Sequence, residues 1–135
     1  MLITRECDYA VRVIRALAGE ERLSVSDICE REAITAPFAY KILKKLQKAE
    51  LVKGFRGVHG GYSIKGNLEE ITLFDVYQAI DPGMFIIDCM EPEYCCVRNG
   101  CDGAVCHVHY ELEKIQSELW KMLKSKSLKE LLKME

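Results

Sequence analysis

The sequence predicts a mainly α chain that carries one small β-hairpin and a long C-terminal helix, and three observations predict it. Helical periodicity with recognisable caps recurs along most of the 135 residues. Strand character is confined to a glycine-rich segment, residues 53–64. Late in the chain, Val108, Leu112, Ile115, Leu119 and Met122 step by 4, 3, 4 and 3, the spacing of a helix seam. At 15.4 kDa there is room for one domain and one core, with an appended helix through which two copies associate.

The elements follow in order. Thr4 caps a first helix whose apolar positions Ala10, Val13, Ile14 and Leu17 recur at i, i+3, i+4 and i+7 until Gly19. Ser24 with Asp27 reads as a capping box for a short second helix through Val25, Ile28 and Cys29. Thr35 with Pro37 starts a third, with Phe38, Ile42 and Leu46 inward and Tyr40, Lys41, Lys44, Lys45 and Lys48 outward. Two short helices joined by a tight turn, the second basic on its outer face, form a helix-turn-helix. The segment Lys53 to Ile64 then reads as two strands around a glycine-rich tip, a wing. Thr72 with Asp75 caps a fourth helix with the stripe Leu73, Val76, Tyr77 and Ile80, stopped at Pro82-Gly83. From about Val108 the seam helix begins, and Ser127 with Glu130 caps a last turn through Leu128, Leu131 and Leu132.

The formal charge of −2 hides an asymmetry. Between Thr35 and Gly66, seven basic residues face one acid, so that segment carries +6 and the remainder −8. Charge alone also describes an ordinary solvated lysine face, but placed on a helix-turn-helix and its wing it suits a phosphate backbone. The expected contacts to double-stranded DNA are Tyr40 and Lys41 at base edges, with Thr35 and Pro37 at the start of the same helix. Lys44, Lys45 and Lys48 would grip phosphates, and Arg56, His59 and Gly60 belong to the wing tip. The hairpin and the seam also have bland readings, an ordinary surface turn and a helix packed on its own domain.

Five of the seven cysteines, Cys89, Cys95, Cys96, Cys101 and Cys106, fall within one loop that also holds Pro92, Asn99, Gly100 and Gly103. The N-terminus lacks a signal-peptide pattern and no segment is apolar enough to span a bilayer, so a cytoplasmic location is expected. In that reducing compartment, and with an odd count, metal binding explains the thiols better than a disulfide framework. Soft thiolates with a nearby histidine suit an iron–sulfur cluster or zinc. Cys7 and Cys29 are expected to be inert core residues, His107 and His59 solvent-facing. No Ser/His/Asp arrangement, phosphate loop or carboxylate pair suggests an enzyme.

The order helix, basic helix-turn-helix, Arg56-Gly57-x-x-Gly60-Gly61-Tyr62 wing, helix, cysteine loop and long helix resembles the Rrf-type winged-helix transcriptional regulators. The likeness extends from Asp8-Tyr9-Ala10-Val11 to Ser127-Leu128-x-x-Leu131-Leu132. It implies a homodimeric regulator with a winged helix-turn-helix domain (1–81), a cysteine-rich cluster-binding loop (82–107), and a dimerisation helix with a C-terminal helical turn (108–135). In cluster-binding members of that family three loop cysteines hold the cluster, and a histidine or an N-terminal acid completes it. The resemblance places Cys89 first and Cys106 third, with His109 at the histidine and Asp8 at the carboxylate position. Cys95 fits the middle position, with Cys96 and Cys101 as rivals because this loop is longer than usual. The cofactor implied is an iron–sulfur cluster of the 2Fe–2S or 4Fe–4S type. Zinc, a metal-free thiol switch and control by a protein partner such as a metabolic enzyme stand as alternatives, as does a thiol or cluster carrier that leaves DNA alone.

Overall fold

The computed structural model describes residues 3–98 and 106–133. Six α-helices and one hairpin are present among them: α1 (Arg5–Leu17), α2 (Val25–Glu32), α3 (Ala36–Lys48), β1 (Val52–Phe55), β2 (Gly61–Ile64), α4 (Leu73–Ile80), α5 (His107–Leu123) and α6 (Leu128–Leu131). Between α4 and α5 a 3-10 turn, Asp88–Met90, is present among the described residues.

The helix starts are where local chemistry demands them. Thr4 accepts from the Cys7 amide, and Ser24, Thr72 and Ser127 each form a reciprocal capping box with the acid three residues on. Such caps satisfy amides that have no partner inside the helix, and each is worth about 1 kcal/mol. At α3 the cap is different. Thr35 makes no side-chain bond, and a proline in the first turn, which needs no amide partner there, takes over that role.

The core lies among α1, α2, α3 and α4. Val13, Ile14, Leu17, Ile28, Ile42, Leu43, Leu46, Val52, Val76 and Leu128 are all buried in one cluster. Fully burying a side chain of this size contributes about 1.5–3 kcal/mol, so this cluster carries the stability. Arg15 of α1 clamps Glu32 of α2 through Nε (2.9 Å) and Nη2, satisfying a carboxylate that the packing buries. The expected inward face of α3 needs one correction. Phe38 is 42% exposed and packs edge-on against Tyr9 at 5.5 Å, while Ala39, Ile42, Leu43 and Leu46 fill the core. Small Ala39 lets α3 approach α1 closely; Phe38, one position earlier, points about 100° away.

The wing is an antiparallel pair in which Val52 faces Ile64 and Phe55 faces Gly61. It is tied to the α1–α2 connection by a two-bond bridge between Leu23 and Tyr62, at 3.0 and 2.8 Å. That bridge explains Gly61. Its φ is +149°, and a Cβ there would run into the Leu23 carbonyl. Gly61→Ala should therefore lower stability by about 1–3 kcal/mol through strain and a displaced wing; an unaltered denaturant midpoint would disprove the close approach.

The segment before α5 is also held. Buried Gln116 accepts from the Ile86 amide at 2.8 Å, and Trp120 Nε1 donates to the Met84 carbonyl at 3.3 Å while packing on Phe74 and Phe85. These contacts turn Gln116, Trp120 and Leu123 toward the rest of the chain. The other face of α5 keeps the predicted seam outward, with Val108, Ile115 and Met122 exposed and Leu112 and Leu119 half-buried.

Candidate nucleic-acid interface and cysteine site

The α2–turn–α3 unit and the wing form one surface. Tyr40 of α3 lines a shallow cleft together with Ser24 and Ser26 at the start of α2 and Phe55, Gly57 and Gly61 of the wing. Thr35, Pro37, Tyr40, Lys41 and Lys44 are exposed along α3, as are Arg56 and His59 at the wing, while Gly60 is half-buried. At Gly60 a Cβ would stand 2.8 Å from the Phe55 carbonyl, so the tip is closed by backbone packing that admits no side chain.

Two residues of this surface lay outside the sequence reading. Arg22, in the α1–α2 connection, stacks its guanidinium on Phe55 at 3.7 Å and donates to the His59 carbonyl at 2.6 Å. It braces the wing from a distant stretch of chain. Glu6 of α1 receives Lys41 Nζ on one carboxylate oxygen at 2.6 Å and Lys45 Nζ on the other at 2.8 Å. Those lysine bonds hold the Glu6 carboxyl below its ordinary range. Lys45 also donates to the Ile80 carbonyl at 3.4 Å, so it turns toward α1 and the end of α4 while Lys44 stays outward. No periodicity announces either contact, because both join residues far apart in sequence.

At the other end, the start of α5 carries two of the candidate ligands, Cys106 and His109, and a third, Cys89, meets it. Cys106 is the N-cap, its Sγ accepting from the His109 amide at 3.5 Å. His109 Nδ1 stands 3.3 Å from Cys89 Sγ on the 3-10 turn. The Gln116 and Trp120 contacts pin the chain just before Cys89 to α5 and so make this meeting possible. The positive end of a helix suits an anionic, sulfur-rich centre.

The remaining candidates are placed elsewhere or otherwise engaged. Cys95 is disulfide-bonded and would have to be reduced before ligating a metal. Cys96 is half-buried, and Cys101 lies outside the described residues. Asp8 pairs with Arg12 at 3.0 Å. Among the described residues no three Cys, His, Asp or Glu side chains stand close enough to hold a metal ion as they are. The donors present fit an iron–sulfur centre in kind, two sulfurs and an imidazole, with further sulfur available from the same loop. Cys7 is buried beneath the Thr4 hydroxyl, and Cys29 is partly buried and packed against the core. Near Cys7, burial raises the Tyr77 phenol above its ordinary value, helped by Cys7 and Asp8.

Comparison with known proteins places this geometry. A family model described as Rrf2, iron-dependent transcriptional regulator, matches residues 3–134. Protein rrf2 of Nitratidesulfovibrio vulgaris is 30% identical over 101 residues, covering 73% of this chain and 67% of that protein. The HTH-type transcriptional regulator IscR of Aliivibrio salmonicida is 30% identical over 136 residues, covering 98% of this chain and 77% of its own. Among solved structures, T. potens IscR matches with a TM-score of 0.74 at 24% identity, covering 96% of this chain and 85% of that one. CymR, the global cysteine regulator of B. subtilis, matches with a TM-score of 0.75 at 22% identity, covering 98% and 97%. At those identities the structural likeness is one of fold. Among the described residues no helix is long and apolar enough to cross a membrane.

Proposed function

The chain belongs to the Rrf2 family of transcriptional regulators, and from that premise we propose that it is a homodimer whose grip on an operator is set by an iron–sulfur cluster in the cysteine loop. The observation that carries the cluster half of this reading is the meeting of Cys89 Sγ with His109 Nδ1 at 3.3 Å beside the capping sulfur of Cys106. Cys106 and His109 share the first turn of α5, where Cys106 serves as the cap, and the 3-10 turn brings Cys89 to them from 20 residues away in sequence. Cys89, Cys106 and His109 would hold the cluster, and Cys95, Cys96 or Cys101 would supply what remains. Such a centre provides a group that nitric oxide, oxygen or iron scarcity removes.

On the DNA side, α3 enters a major groove. Tyr40 lies at base edges with Thr35 and Pro37 at the helix start, and Lys44 and Lys48 lie on phosphates. Arg56, His59 and Gly60 at the wing approach the flanking minor groove. Lys41 and Lys45 join these contacts when they leave Glu6. The exposed seam Val108, Ile115 and Met122 pairs with its copy, so that two reading heads face two half-sites.

The link between the two ends runs along α4 and α5. A cluster held by Cys89 and Cys106 would tie the rest of the loop to α5, and so would set the angle between the heads. An effector shifts an equilibrium only by its differential affinity for the two states, so a tenfold change in operator binding asks about 1.4 kcal/mol of the cluster. Protein reconstituted anaerobically with iron and sulfide should be brown, and should bind its operator with at least a tenfold different affinity from the stripped protein. Equal affinity of the two forms would remove the cluster from the mechanism.

A second reading is favoured by the Cys95 disulfide. In it the loop acts without metal, as a thiol switch, with or without a protein partner. Colourless protein after the same reconstitution, with operator affinity that follows the thiol–disulfide state, distinguishes it.

A further inference from the structure

We propose that Glu6 is an internal competitor for DNA phosphate, withholding Lys41 and Lys45 of the DNA-reading helix and thereby setting how well this protein rejects non-operator DNA. The inference rests on the DNA-binding reading above.

Lys41 and Lys45 are four residues apart on α3 and therefore share one face of it. Each donates to a different oxygen of the same carboxylate, at 2.6 and 2.8 Å. A carboxylate that takes two ammonium groups this way occupies them as two oxygens of a phosphate would. The carboxylate is fixed in place. Glu6 sits in the first turn of α1, behind the Thr4 cap, and α1 packs directly on α3. Lys44 and Lys48, on the same helix, form no ion pair among the described residues. The helix thus presents two lysines outright and holds two in reserve.

The reserve is accessible. The Lys41 side chain is 54% exposed and that of Glu6 25%, so the pair lies at the surface, where water screens it and a competing anion can displace it. Any duplex must then win Lys41 and Lys45 from Glu6 and tolerate an uncompensated carboxylate beside its phosphates. A random duplex offers nothing in return. An operator that gives Tyr40 and Lys41 base acceptors does, so the carboxylate weakens non-specific binding more than specific binding.

The test uses the full chain and a duplex of random sequence, with affinity followed against salt. Glu6→Gln should tighten binding by about three- to tenfold and steepen the plot of log affinity against log salt by about 1–2, since each extra phosphate contact adds about 0.9 to the slope. Glu69→Gln is the control. It removes the same charge and releases Lys129, held at 2.5 Å, but on α6 and not on the DNA-reading helix. It should leave affinity and slope unchanged. Equal behaviour of the two variants, or weaker binding by Glu6→Gln, overturns the proposal while leaving DNA binding intact. Wild-type protein with no salt-dependent binding overturns the DNA-binding reading and this proposal together. A readout without DNA adds an independent arm. In the free wild type, an amine-specific reagent should label Lys41 several-fold more slowly than Lys44, and at a similar rate in Glu6→Gln; equal rates in the wild type would refute the clamp.

Discussion

Alanine at Cys89 or at Cys106 should leave the anaerobically reconstituted protein colourless, with iron and sulfide reduced to background and the holo–apo difference in operator affinity gone. Cys7→Ala should retain the full spectrum. The contrast follows from placement. Cys89 stands at the His109 ring and Cys106 at its backbone amide, both half-buried at the start of α5, whereas Cys7 is 1% exposed in the core beneath the Thr4 hydroxyl. A cluster that loses one thiolate loses a bond no neighbouring oxygen or nitrogen replaces with the same softness. Cys106 also caps α5, so Cys106→Ala removes a cap together with a proposed ligand. Cys106→Ser separates the two effects, because a hydroxyl caps a helix at least as well while binding iron less well. Full iron in both alanine variants would show that the ligand assignment is wrong.

A charge at the centre of the α5 seam should dismantle the proposed dimer. Ile115 is 54% exposed in the single chain, between Val108 at 67% and Met122 at 71%. Ile115→Glu therefore costs the fold of one chain little. In a pair of helices the same carboxylate would be buried against its own copy, two like charges in an apolar seam, which no such interface tolerates. The expected outcome is a monomer by sedimentation at micromolar concentration, with an unchanged circular dichroism spectrum. Operator affinity should fall by about 10²–10⁴-fold, because the second half-site then has to be bound independently and not at the high effective concentration the dimer supplies. A variant that sediments as the wild type would move the interface elsewhere on the molecule.

Much of this molecule is legible in its sequence because the information is local. The helix starts at Thr4, Ser24, Thr72 and Ser127 depend on a side chain and an amide three residues away, so a four-residue pattern is enough to place them. The wing is marked by glycines whose backbone a side chain would obstruct. The seam of α5 appears as a repeat because a helix carries its own ruler. Phe38 shows the limit of that ruler. A shift of one position, about 100° on the helix, exchanged an exposed aromatic for Ala39 in the core, and hydrophobicity alone ranks phenylalanine first.

Which residues meet depends on how the helices pack. That Glu6 claims Lys41 and Lys45, that Arg22 braces the wing through Phe55 and the His59 carbonyl, and that Gln116 and Trp120 seat the chain before Cys89 are contacts across 20 or more residues of sequence. The same holds for Cys89 and His109, which the sequence supplied as candidates and the packing of the loop root on α5 brought to 3.3 Å. The element types, the basic face of α3 and the supply of soft sulfur donors are written locally in the chain, since periodicity, capping and composition act within a few residues. The pairing of charges and ligands waited for the fold, because it depends on how separate helices pack, and that is set by the whole core at once.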